Sequence, residues 1–257
     1  MIESKQGASA LVNRVPEITL VFWIIKILAT TVGETAADLL STTLNLGLVT
    51  TSWVMAGLLL ITLIIQFRAR RYVPAIYWLV VVFISVVGTL ISDNLVDNMG
   101  VPLATTSLIF GIALVVVFVV WYAVEKTLSV HTIYTVRREL FYWAAILFTF
   151  SLGTSAGDLL SESMGLGYAV AALMFGAAIA VVYLARRFGK VNEVLAFWIA
   201  YILTRPLGAS MGDLLTQSRD DGGFGLGTIP TSVVFLLVII VLVVHLSNEE
   251  KKKRVAS

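Results

Sequence analysis

A chain of 257 residues in which 58% are hydrophobic and only 13% are charged has too little polar side chain to cover a soluble globule. With a mean hydropathy of +0.94 and a formal net charge of +2, it reads as an integral membrane protein. Cysteine is absent, which excludes disulfides, thiolate metal sites and cysteine nucleophiles.

Eight apolar segments follow in order, roughly 18–44, 48–67, 74–97, 102–124, 139–163, 166–185, 192–217 and 229–246. Each is long enough to cross a hydrocarbon core of about 30 Å as a helix. No short apolar stretch ends in a small-residue cleavage site, so no removable signal peptide is expected. Fifteen of the eighteen Lys and Arg residues lie in the termini and in the connections after the second, fourth and sixth segments. They are Lys5, Arg14, Arg68, Arg70, Arg71, Lys126, Arg137, Arg138, Arg186, Arg187, Lys190, Lys251, Lys252, Lys253 and Arg254. The four alternate connections hold only Arg219, so the positive-inside rule puts both termini in the cytoplasm.

Within these segments one pattern recurs four times: a Trp, a Gly ten residues on and an Asp five residues further. The copies are Trp23/Gly33/Asp38, Trp78/Gly88/Asp93, Trp143/Gly153/Asp158 and Trp198/Gly208/Asp213. The Trp offsets of 55, 65 and 55 residues divide the chain into two halves of two helix pairs, with about ten extra residues in the middle. One membrane domain, 1–257, is expected, with repeats 18–70, 73–125, 138–190 and 193–247 and a central cytoplasmic connection at 126–137. The fold class expected is all-α: eight transmembrane helices as four parallel-oriented two-helix repeats in a pseudo-fourfold bundle, the odd helices around a central axis and the even ones outside or between them. The repeated Trp fits an aromatic belt at the membrane interface. Gly33/Ala37, Gly88/Ser92, Gly153/Gly157 and Gly208/Gly212 are small-xxx-small pairs that allow close backbone contact in lipid.

A carboxylate inside a membrane is costly and marks a functional site by default. Beside Asp38, Asp93, Asp158 and Asp213, steps of three or four residues add Glu34, Asp97 and Glu162 together with Thr30, Thr89, Thr154, Ser161 and Gln217. Such oxygens suit hard cations such as Mg, Ca or Mn, or protons, rather than soft metals. Fifteen residues from Trp to Asp rise about 22 Å, which places the Asp set nearer the outer surface. Lys26 and Arg205 lie in the same helices and are candidate counter-ions for the acids; Pro206 follows Arg205. His131 and His245 lie off the acidic stripe. A structural role for the Asp set stands beside the functional one, because Thr51, Ser52, Thr106, Ser107, Thr231 and Ser232 begin even helices where their hydroxyls are able to bond an Asp. No nucleotide-binding, Ser/His/Asp or HExxH pattern occurs in context, so an enzyme is not expected.

The segments FWIIKILATTVGETAADLL and YWAAILFTFSLGTSAGDLL resemble a bacterial family of multi-pass proteins, described as uncharacterised membrane-anchored proteins built from a repeat of unknown function. That resemblance covers nearly the whole chain and implies four repeats and a bacterial inner membrane. The expected function is a transporter or exporter of a small hard cation, divalent such as manganese and proton-coupled, with the seven acids as ligands. The alternative is a membrane scaffold or sensor partner with structural Asp residues. The expected partners are the lipid bilayer and a small cation, not nucleic acid; no cofactor is expected beyond a divalent cation as substrate, and the sequence leaves oligomeric state open.

Overall fold

A computed structural model describes residues 13–256; Lys5 lies outside the described residues. Eight helices long and apolar enough to span a membrane account for almost all of it. They are α1 (Leu20–Asp38), α2 (Leu48–Arg68), α3 (Pro74–Asp93), α4 (Leu103–Glu125), α5 (Val136–Asp158), α6 (Tyr168–Phe188), α7 (Glu193–Thr216) and α8 (Thr228–Ala256). Local chemistry sets the starts. Thr19 and Thr135 cap α1 and α5 by accepting from Phe22 and Arg138, Asn192 caps α7 through Val194 and Leu195, and Pro74 occupies the first turn of α3.

Three odd helices end in an unpredicted way. Immediately after Asp38, Asp93 and Asp158 a single π turn follows, at Leu39–Thr43, Asn94–Asn98 and Leu159–Ser163. In α7 the turn is missing, and Gln217 N–H closes onto Asp213 O at 2.8 Å. Two of the short connections, 44–47 and 164–167, then need the left-handed backbone of Gly47 (φ +74°) and Gly167 (φ +76°) to turn into the next helix.

The odd helices form a closed ring in which α1 meets α3, α3 meets α5, α5 meets α7 and α7 returns to α1. The repeated glycines make that ring tight. Gly33 lies against Ser85, Gly88 against Phe150, Gly153 against Arg205 and Pro206, and Gly208 against Thr30, so each glycine receives the residue three positions before the equivalent glycine of the next helix. Even helices do not fold back chiefly on their own partners: α2 packs on α3, α4 on α5, α6 on α7, and α8 on α1. The spans of the odd helices are 56–67% buried and those of the even helices only 11–22%, as expected when an outer layer faces lipid.

The end of the bundle at which α1 begins and α8 finishes is closed. There the ring position before each Trp is aromatic: Phe22, Tyr77, Tyr142 and Phe197 are all buried. Every Trp packs on the aromatic residue of the preceding odd helix, Trp78 on Phe22 (5.6 Å between ring centres), Trp143 on Tyr77 (5.4 Å), Trp198 on Tyr142 (6.2 Å) and Trp23 on Phe197 (5.7 Å). Trp78, Trp143 and Trp198 are buried between helices, which corrects the expectation of an interfacial belt. Aromatic pairs of this kind contribute about 0.5–1.5 kcal/mol beyond their buried area. The 126–135 connection lies over this end. Val130 and Ile133 are buried, Leu128 O accepts from Trp198 Nε1 at 2.9 Å, and Val130 O accepts from Asn13 Nδ2 at 3.0 Å. Glu139, fully buried beside it, accepts from Arg14 at 2.9 Å and Gln66 at 2.8 Å.

Candidate functional site

At the opposite end the ring opens into a cavity of about 140 Å3 lined by Glu34, Asp38, Asp93, Asp97, Asp158, Glu162, Asp213 and Gln217, with Val96 and Leu103. All seven acids singled out in the sequence therefore share one space, contributed by all four repeats. A larger groove of about 760 Å3 lies toward the closed end, between α1, α6, α7 and the 126–135 connection, but its lining is mostly apolar and contains none of these acids.

Steps of four residues down the odd helices produce stacked tiers around the axis. Asp97, Glu162 and Gln217 form the rim, where Asp97 and Glu162 are exposed and Tyr168 donates to Glu162 at 3.2 Å. The four Asp residues lie one turn deeper. Asp213 is buried and the other three are half-buried. Next come Glu34, Thr89, Thr154 and Ala209, then Thr30, Ser85, Phe150 and Arg205, and every one of these eight is buried. Thr42, the rim equivalent in the π turn after α1, does not line the cavity.

Among the described residues no hydrogen bond reaches the carboxylate of Asp38, Asp93, Asp158 or Asp213. The hydroxyls that the sequence offered for that role are engaged elsewhere or, among the described residues, unpartnered. Ser52 donates to Leu48 O and accepts from Asn94, Thr231 donates to Gly227 O, Ser232 donates to Thr35, and Thr51 and Thr106 have no partner. Also among the described residues, no three acidic or histidine side chains stand close enough to chelate one bare ion. The acids wall a space wide enough for a cation with water around it.

Glu34 is the deepest acid and differs from the rest. Its Oε2 accepts from Arg205 at 2.9 Å, and the same guanidinium nitrogen also bonds Thr89 Oγ1 and, at 2.7 Å, Thr154 Oγ1. A second guanidinium nitrogen donates to Thr30 O at 3.4 Å. Arg205 thus joins α7 to α1, α3 and α5 at the cavity floor. Charge-assisted bonds of this kind contribute about 1.5–3 kcal/mol each, and the buried guanidinium would be prohibitive without them. One tier lower Lys26 is buried and, among the described residues, has no hydrogen-bond partner, its Nζ 4.2 Å from the ring centres of both Phe150 and Tyr201. Neither cation lines the cavity, so the two predicted counter-ions divide: Arg205 touches an acid and Lys26 does not. His131 and His245 are exposed, near Glu193 (3.7 Å) and Glu249 (3.4 Å), far from the tiers.

The aromatic floor was not anticipated from the sequence, although a signal was present in the dipeptides Phe22-Trp23, Tyr77-Trp78, Tyr142-Trp143 and Phe197-Trp198. Thr89 and Thr154 stood out only as stripe hydroxyls, without their shared partner.

Compared with known proteins, the chain matches one family profile four times, at residues 21–72, 76–127, 141–190 and 196–251, described as a repeat of unknown function, DUF347. Each matched stretch spans one odd and one even helix. No curated protein and no solved structure matches the chain.

Proposed function

Because the chain belongs to the family built from the DUF347 repeat, in which no activity comes with the name, we propose a function from the cavity itself: transport or export of a small hard cation across a bacterial inner membrane, with both termini cytoplasmic. The observation that carries this reading is the convergence of four equivalent Asp residues and three further acids on one cavity, with none of the four Asp carboxylates engaged in a hydrogen bond among the described residues. Two carboxylates about 6 Å apart repel by about 3 kcal/mol at an effective dielectric constant of 20, so a cavity with this many acids needs cations or protons to neutralise it. Oxygen donors and the lack of a close chelating trio favour a divalent ion that keeps part of its water, manganese or magnesium before zinc or copper. Nothing in the cavity pairs a nucleophile with a base, and we assign no enzymatic role and no resident cofactor.

A scaffold role has its own supporting observation. Arg205 ties four helices together, and the aromatic tiers pack densely below it. Proteoliposomes containing the purified protein and loaded with an indicator discriminate between the two: manganese flux well above empty vesicles, responsive to an imposed proton gradient, is the transport outcome. No flux of Mn, Mg, Ca, Na or protons in either direction would leave only the scaffold. The orientation is checked separately, by reporters fused to each end; both are expected to read as cytoplasmic, a periplasmic reading at one end alone would defeat the eight-span topology, and periplasmic readings at both would reverse the proposed direction of the cavity.

A further inference from the structure

The oxygens that hold Arg205 have the composition of a cation site. Glu34 Oε2 from α1, Thr89 Oγ1 from α3 and Thr154 Oγ1 from α5 all converge on one guanidinium nitrogen, with Thr30 O on its neighbour. A carboxylate, two hydroxyls and a backbone carbonyl are the donor types that replace the water of a hard cation. The fourth member of the tier, Ala209, is too small to reach the axis, and the guanidinium rises from the tier below into the space this leaves. Glu34 also lines the acidic cavity. One carboxylate therefore belongs to both places, and an ion leaving the Asp tier meets it next.

We propose that this buried oxygen set is an inner, dehydrating site for a hard cation and that Arg205 is its tethered resident, which an incoming cation displaces. The proposal rests on the transport reading of the outer cavity. Guanidinium and cation exclude each other because they need the same lone pairs. In the observed position the guanidinium carbon is also 5.4 Å from the centre of the Phe150 ring, which Lys26 Nζ approaches to 4.2 Å. In the resting state the tether seals the axis against leak, and the positive charge it contributes stands in for the ion.

The test measures Mn2+ binding to nanodisc-held protein. Arg205→Ala should acquire one Mn2+ equivalent absent from wild type, at least about tenfold tighter than the outer sites. Millimolar guanidinium should compete for it and should itself raise the melting temperature of this variant. Adding Glu34→Gln to Arg205→Ala should abolish both effects. An Arg205→Ala protein with the same Mn2+ stoichiometry as wild type and no response to guanidinium overturns the proposal. Should that variant be recovered only unfolded, Arg205→Lys carries the same test, because one ammonium cannot follow the planar fork onto every acceptor: weaker Mn2+ uptake that vanishes with Glu34→Gln supports the site, and binding identical to wild type overturns it. The outcome is separable from that of the transport reading, since a wild type without flux defeats transport whatever the variant binds, whereas flux with no gained site defeats only the inner site.

Discussion

Asp158→Asn and Asp213→Asn are expected to lower reconstituted manganese flux at least about tenfold, equivalent to about 1.4 kcal/mol or more of lost cation stabilisation, while leaving the bundle folded. Asn preserves the size of the side chain and removes its charge. Neither Asp carboxylate accepts a hydrogen bond among the described residues, so no protein contact is lost, and fewer like charges then share the cavity. Melting temperatures should consequently stay level or rise. Asp220→Asn supplies the control, because Asp220 is exposed in the 217–227 connection and does not line the cavity. Flux unchanged in both ring variants, with a normal control, would remove the Asp tier from the pathway.

Gly88→Leu should produce the largest loss of folded protein. A Cβ at Gly88 would lie 2.5 Å from Phe150 Cβ and 3.2 Å from the Phe150 carbonyl carbon and the Ser151 nitrogen, and backbone atoms are unable to move aside as a flexible side-chain end does. Overpacking costs about 1–3 kcal/mol where a core adjusts, and here α3 and α5 would have to separate. Folded yield after detergent extraction should fall several-fold. Gly57→Leu is the matched comparison: Gly57 faces open space on exposed α2, and leucine there should extract like wild type. Equal yields for the two would mean that the ring does not depend on this contact. The same measure separates the two glycine tiers, since a Cβ at Gly157 would meet Ala209 and Pro206 at an ordinary 3.6 Å, and alanine should be tolerated there.

What the sequence revealed and what it withheld have physical reasons. The convergence of Asp38, Asp93, Asp158 and Asp213 was legible because a fixed Trp-to-Asp interval in a helix fixes both depth and face. The close approach of odd helices was legible for the same reason, through Gly33, Gly88, Gly153 and Gly208. The burial of Trp78, Trp143 and Trp198 was not, because a Trp near a helix end is equally at home against headgroups or another ring until the neighbouring helix is known. The partner of Arg205 lay hidden in closure of the ring: Glu34 stands 171 residues away, and only the meeting of α1 with α7 brings the two together. The π turns had no signal at all, since Leu39–Thr43 and Leu159–Ser163 have residues that an α-helix accepts as readily, and α7 passes its own Asp without one.

The packing of α8 on α1, in the same relation as α2 on α3, has a consequence for the order of the chain. The bundle is a circle cut open at one point, and the cut lies where Glu17 and Lys253 approach to 3.4 Å. No repeat is first in any structural sense. The covalent path merely chooses where the circle begins, and each repeat obtains its outer cover from the one before it, so that a lone repeat has an uncovered inner helix and an outer helix with nothing to cover. Four-part closure, rather than the hairpin, is the smallest unit that satisfies every face.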